Sequence, residues 1–110
     1  MSLINSSKEY FETFSNKDID GLSDMFSDDV FLRDWEIEAS GKDNVLEANK
    51  NIFSSVETIN INPIHIYSDK NTVIAELDIV VNSETSLLVT DIIDFDDEGK
   101  IKNIRAYKGN

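Results

Sequence analysis

The stretch Leu87-Leu88-Val89-Thr90-Asp91-Ile92-Ile93-Asp94-Phe95, the turn Asp96-Asp97-Glu98-Gly99 and the return run Lys100 to Tyr107 decide how this chain folds. Side chains alternate across a strand, so Leu87, Val89, Asp91, Ile93 and Phe95 share one face. All but Asp91 are apolar, which makes that face the buried one. Asp91 is thereby aimed into the same interior as leucine and phenylalanine, where an ionised carboxylate is disfavoured unless paired. A buried acid on a core face is either a structural hydrogen-bonding group or part of a site.

Upstream, the period of two continues. Thr72 to Asn82 reads as the clearest strand, with Val73, Ala75, Leu77, Ile79 and Val81 forming an unbroken apolar face. Asp69-Lys70-Asn71 and Ser83-Glu84 are the turns on either side. Ile59 to Ser68 is a further strand interrupted by Pro63, which implies an edge position or a bulge because proline cannot donate to the ladder. Nearer the N-terminus the period becomes helical. Leu3, Ile4, Tyr10, Phe11 and Phe14 predict a helix over Leu3 to Ser15. Asn16-Lys17-Asp18 ends it, and Asp18 caps a short second helix carrying Ile19, Leu22, Met25 and Phe26. After the turn Ser27-Asp28-Asp29, Val30 to Glu38 is expected as a strand. Val30, Leu32 and Asp34 then lie on one face, and Phe31, Arg33, Trp35 and Ile37 on the other. Ser40-Gly41 precedes a third helix over Lys42 to Val56, whose stripe runs through Val45, Ala48 or Asn49, Ile52 and Val56, flanked by Leu46 and Phe53. Helix, helix, strand, helix and four antiparallel strands make one α+β domain over residues 1–110. Helices gathered early pack on one face of a curved sheet and leave a concavity.

Composition narrows the function. The apolar (40%) and charged (29%) fractions over 110 residues are those of an ordinary globular domain. A net charge of −12 argues against nucleic acid, whose phosphates need Lys and Arg, and equally against an anionic membrane surface. It suits either a cationic partner or simple solubility. The absence of cysteine excludes disulfides, thiolate metal sites and cysteine nucleophiles. Met1 to Ser7 has no basic region or long apolar run, so no secretory leader is expected, and a cytoplasmic protein is. One histidine and scattered acids give no metal-ligand spacing, so neither metal nor cofactor is expected. Asp94, Asp96, Asp97 and Glu98 read as a solvated turn.

This order of elements resembles the nuclear transport factor 2-like superfamily, which includes ketosteroid isomerases and SnoaL-like polyketide cyclases. The resemblance rests on Tyr10-Phe11 through Asn16-Lys17-Asp18-Ile19-Asp20-Gly21-Leu22, on Met25-Phe26-Ser27-Asp28-Asp29-Val30, on Ser40-Gly41-Lys42, and on Asp94-Phe95-Asp96-Asp97-Glu98-Gly99-Lys100-Ile101. It implies a cone-shaped curved antiparallel sheet wrapped around N-terminal helices, also called the cystatin-like fold. Such a fold hosts enzymes, binding domains and assembly modules alike, so it does not fix a function.

The resemblance to the isomerases also implies three site residues. Tyr10 falls at their tyrosine, Asp34 at their carboxylate base and Asp91 at their carboxylic acid. The use of a protonated aspartic acid as an oxyanion donor is established for those isomerases, and is carried here by the resemblance alone. Trp35 stands where the isomerases usually have proline, so the pocket mouth is expected to differ. Each assignment has a structural alternative: Asp34 as a strand-end backbone partner, Asp91 as a buried link to Tyr or Arg, Tyr10 as a core aromatic. Arg33 or Arg105 paired with Asp91 would make that acid scaffold. Trp35, Phe14, Phe53, His65 and Leu77 are the expected pocket lining. The expected ligand is a small apolar molecule, with proton transfer next to a carbonyl as the chemistry. The alternative is a non-catalytic ligand-binding or dimerising domain. A homodimer through the open sheet face is expected under both.

Overall fold

The computed structural model describes residues 2–110, which form three helices and a single curved sheet of six strands. Helix α1 (Leu3–Ser15) starts where the Ser2 side chain accepts from the Asn5 N–H at 3.3 Å. It ends in paired reverse bonds, Asp18 N–H to Thr13 C=O (3.1 Å) and Lys17 N–H to Phe14 C=O (2.9 Å), with Lys17 in the left-handed region at φ 56°. Lys17 also ties down another helix end. Its ammonium donates to the carbonyls of Phe53, Val56 and Glu57 at 3.0, 2.7 and 3.0 Å. A cation there satisfies the carbonyls that a helix C-terminus leaves unpaired and opposes its negative dipole end.

Helix α2 (Ile19–Met25) is capped by Asp18, whose carboxylate accepts from Gly21 N–H at 3.0 Å. A Cβ on Gly21 would stand 2.6 Å from that same carboxylate and 2.9 Å from the Thr13 methyl, so the cap requires glycine. Strand β1 (Phe26–Arg33) follows without a break, and β2 (Glu38–Ser40) folds back on it as a short hairpin. The continuous strand expected over Val30 to Glu38 is therefore corrected. Strand β1 begins earlier, stops at Arg33, and the chain reverses through Asp34 to Ile37. The cause is the Asp34 side chain, whose Oδ1 accepts from the N–H groups of Glu36 (2.7 Å) and Ile37 (2.6 Å). A short carboxylate that captures backbone donors two and three residues on competes with the ladder.

Helix α3 (Lys42–Ser55) leads to β3 (Ile59–Asp69), β4 (Thr72–Val81), β5 (Thr85–Phe95) and β6 (Ile101–Lys108). The sheet order is β2-β1-β6-β5-β4-β3, antiparallel throughout except that β1 and β6 run parallel. That pairing places the first and last strands side by side. Pro63 satisfies both of its expectations, since β3 is an edge strand and its register shifts between Pro63 and His65. Gly99 turns the last hairpin at φ 81°, while the Asp96 carboxylate accepts from Glu98 and Lys100 N–H at 2.9 Å each.

The inner face of the sheet is divided along its length. Val73, Leu77, Ile93, Phe95 and Ile101 pack with Phe11, Leu22 and Phe26 into a solid core. The other end, where β4 ends and β5 begins, is not filled. No helix among the described residues is long and apolar enough to cross a membrane.

Candidate active site

At the unfilled end lies a cavity of about 210 Å³, walled mainly by apolar side chains. Ile59, Ile79, Leu87 and Val89 from the sheet face Phe14 of α1 and Ile52 of α3 across it, and Trp35 and Glu36 stand at its exposed margin. Tyr10, Asp34 and Asp91 all reach this one cavity.

The alternation of β5 aims Asp91 inward as expected, and the side chain is only 7% exposed. Its cross-strand neighbours are Ala75 on β4 and Ala106 on β6. Two alanines flanking one carboxyl leave room around it where larger side chains would close the space. Among the described residues no Lys or Arg pairs with it. Arg105 Nη1 donates instead to Asp94 Oδ2 at 2.9 Å, and Arg33 Nη2 donates to the Tyr107 hydroxyl at 2.9 Å. Burial pushes the Asp91 carboxyl up to about 7, and the nearby Asp34 charge adds to the effect. At neutral pH a large share of Asp91 therefore carries a proton to donate. Burial, followed by the charge of Asp91, raises the Tyr10 hydroxyl far above its ordinary range, so it stays protonated as well. Tyr10 is held by its ring against Phe11, Phe14 and Phe26, at centroid distances of 5.6, 6.1 and 6.2 Å.

Asp34 comes from the turn rather than from a strand. Its two backbone bonds both fall on Oδ1, which fixes the carboxylate plane and leaves Oδ2 without a hydrogen bond to the described residues. The arrangement thus brings to one apolar hollow an anchored carboxylate, a carboxyl that burial inclines to keep its proton, and a tyrosine hydroxyl. Such donors act more strongly on developing charge there than in water.

Of the expected lining, Trp35 and Phe14 reach the cavity, and three residues are corrected. Phe53 packs edge-on behind Phe14, with ring centroids 4.8 Å apart, and contributes to the wall only through it. Leu77 is fully enclosed in the solid half of the core. His65 lies on the exposed edge strand, stacked on Tyr67, with Nδ1 2.9 Å from Glu76 Oε1. The register shift after Pro63 sets His65 opposite Glu76 rather than over the cavity. Most of the aliphatic lining, such as Ile52, Ile79 and Val89, was not named as lining in the sequence reading, and neither was the polar Asn49 of α3, which is 2% exposed with an unpaired Nδ2. Its signal was a polar side chain on an apolar helical stripe. No group of three or more His, Asp or Glu side chains able to hold a metal is present among the described residues.

Comparison with known proteins agrees with this architecture. Against the curated proteins the chain finds no match. Among solved structures, a SnoaL-like protein of unknown function from Burkholderia thailandensis superposes with a TM-score of 0.86 at 12% identity, over 96% of this chain and 93% of that one. An LEH-like epoxide hydrolase of M. tuberculosis gives 0.82 at 17% identity, over 97% and 82%. SalBIII, an epoxide hydrolase/cyclase-like enzyme in pyran ring formation of the polyether salinomycin, gives 0.83 at 20% identity, over 97% and 90%. At these identities the likeness is one of fold. The SnoaL-like domain model matches residues 7–104. With almost the whole chain inside that match, and the cone of helices and sheet that the resemblance implied, this protein belongs to the SnoaL-like family.

Proposed function

We propose that this protein is an acid–base enzyme acting on a small apolar carbonyl compound. Asp34 Oδ2 takes a proton from the carbon next to the carbonyl. Protonated Asp91 and the Tyr10 hydroxyl donate hydrogen bonds to the enolate oxygen that forms. Asp34 then returns the proton at a conjugated carbon, so a β,γ-unsaturated ketone becomes the α,β-unsaturated isomer with no net gain or loss of atoms. The observation that carries this reading is Asp91: a carboxyl buried in an apolar wall, unpaired by any cation of the described residues, beside a second carboxylate and a tyrosine. A cavity of about 210 Å³ lies below the roughly 300–1,000 Å³ of sites for drug-sized ligands, so the substrate is monocyclic or short-chain.

Conversion of cyclohex-3-enone to cyclohex-2-enone, followed by the ultraviolet absorbance of the conjugated product, tests the reading. Asp34→Asn is expected to slow it by about a hundredfold or more. Equal rates would remove Asp34 from the chemistry.

The double backbone bond on Asp34 Oδ1 favours a second reading, in which Asp34 is only the residue that makes the turn and the cavity binds without catalysis. Saturable binding of cyclohex-3-enone with no isomerisation would select it. Under either reading two copies pair through the outer face of the sheet, where Ile74, Leu88 and Tyr107 are exposed. Gel filtration at low micromolar concentration is expected to show a dimer; a monomer would contradict the pairing.

A further inference from the structure

Asn49 and Ser7 are both buried polar side chains of the helices with an atom that finds no hydrogen-bond partner. Only Asn49 also lines the cavity. It stands on α3, across from the sheet that carries Asp91, at a position where the helix otherwise presents Val45 and Ile52. A leucine there would continue the stripe and leave no polar group unsatisfied. A carboxamide carries two N–H donors and one acceptor oxygen, and its burial without a partner is unfavourable. A fixed water or a ligand oxygen in the cavity resolves that.

We infer that Asn49 is a ligand-orienting residue: its carboxamide Nδ2 donates to a second oxygen of the bound molecule, across the cavity from the carbonyl held at Asp91 and Tyr10. The natural ligand then belongs to a narrower class than an apolar ketone. It is a small ring or chain with oxygen acceptors at two separated positions and hydrocarbon between them. Ile52, Ile79 and Val89 contact that hydrocarbon, and the two polar ends fix which carbon faces Asp34. The inference rests on the proposed carbonyl reading for one end of the ligand, and adds the other end.

Cyclohexanone and 1,4-cyclohexanedione differ by that second oxygen and little else. Trp35, the single tryptophan, stands at the cavity margin 42% exposed and reports occupancy by fluorescence. The wild type is expected to bind the dione about tenfold more tightly than the monoketone, and Asn49→Leu to lose that preference while still binding the monoketone. Should Asn49→Leu misfold, the Asn49 side-chain NH₂ resonances of the ¹⁵N-labelled wild type decide the matter. They should move with the dione and stay in place with cyclohexanone. The same ratio of affinities in the wild type and Asn49→Leu, or no binding of either ketone, overturns the inference. Exchange of the ketone α-protons with D₂O, measured in the same samples, separates the two ideas. Discrimination without exchange leaves Asn49 in place and refutes the catalytic role of Asp34, whereas exchange without discrimination does the reverse.

Discussion

Asp91 and Asp94 stand three residues apart on one strand and live in opposite chemical worlds. Asp94 faces outward, where it accepts from the Thr72 hydroxyl at 2.6 Å and from Arg105 at 2.9 Å. Partial burial works against its charge, but these two hydrogen bonds and the Arg105 charge outweigh it and hold the carboxyl below its ordinary value. Asp91 faces inward, lacks such partners among the described residues, and is pushed up to about 7 by burial and then by Asp34. Nothing in the local sequence distinguishes them except parity. An odd separation on a strand sends one carboxyl to an ion pair with Arg105 and the other into an apolar cavity wall. The lesson is that register, more than residue type, assigns the chemistry.

The comparison breaks first on pH. Asp91 titrates higher folded than unfolded, so between about pH 4 and about pH 7 the folded chain holds more protons. The contribution of Asp91 to stability is therefore full in acid and lost as pH rises through that window, by up to about 4 kcal/mol. Asp94 works the other way, since its stabilisation is present at neutral pH and lost as pH falls through its lowered folded value. Urea unfolding from pH 4 to pH 8 should show Asp91→Asn flattening the first trend, and an unchanged slope would contradict the account. Next in size, Asp91→Ala should lower the isomerisation rate about a hundredfold, the usual loss for one oxyanion donor, while Asp94→Asn leaves the rate unchanged. Steady-state assays of the two variants check this. Smaller again, Asp94→Asn should cost about 1–2 kcal/mol of stability at pH 7, because Thr72 and Arg105 lose a charged acceptor. The smallest effect is expected far from both. Lys17→Met leaves the last carbonyls of α3 unpaired, and should lower stability by about 1 kcal/mol in chemical denaturation without touching the rate.

Much of this fold was legible because its periods are clean. The inward row of β4, the cap at Asp18 and the edge character of β3 follow from alternation, a short acid before a helical stripe, and one proline. The hairpin after Arg33 was not legible. Trp35 and Ile37 sustain an apparent alternation, and the reversal depends on the Asp34 side chain bonding two N–H groups. The parallel pairing of β1 with β6 was hidden for a different reason, since a contact between residues so distant in sequence leaves no local pattern. Within the site, Tyr10, Asp34 and Asp91 were placed by resemblance and by the parity of β5. His65 and Leu77 show the limit of that approach. Sharing a face with pocket residues does not put a side chain at the pocket when a bulge or the solid core intervenes.

The most direct test of the central claim is the titration of the Asp91 carboxyl itself, followed by ¹³C NMR of selectively labelled protein. The account predicts a midpoint near 7 in the wild type, falling when Asp34→Asn removes the neighbouring charge. A midpoint in the ordinary aspartate range near 4 would show Asp91 to be ionised at neutral pH, and would contradict its role as the proton-bearing group of the cavity.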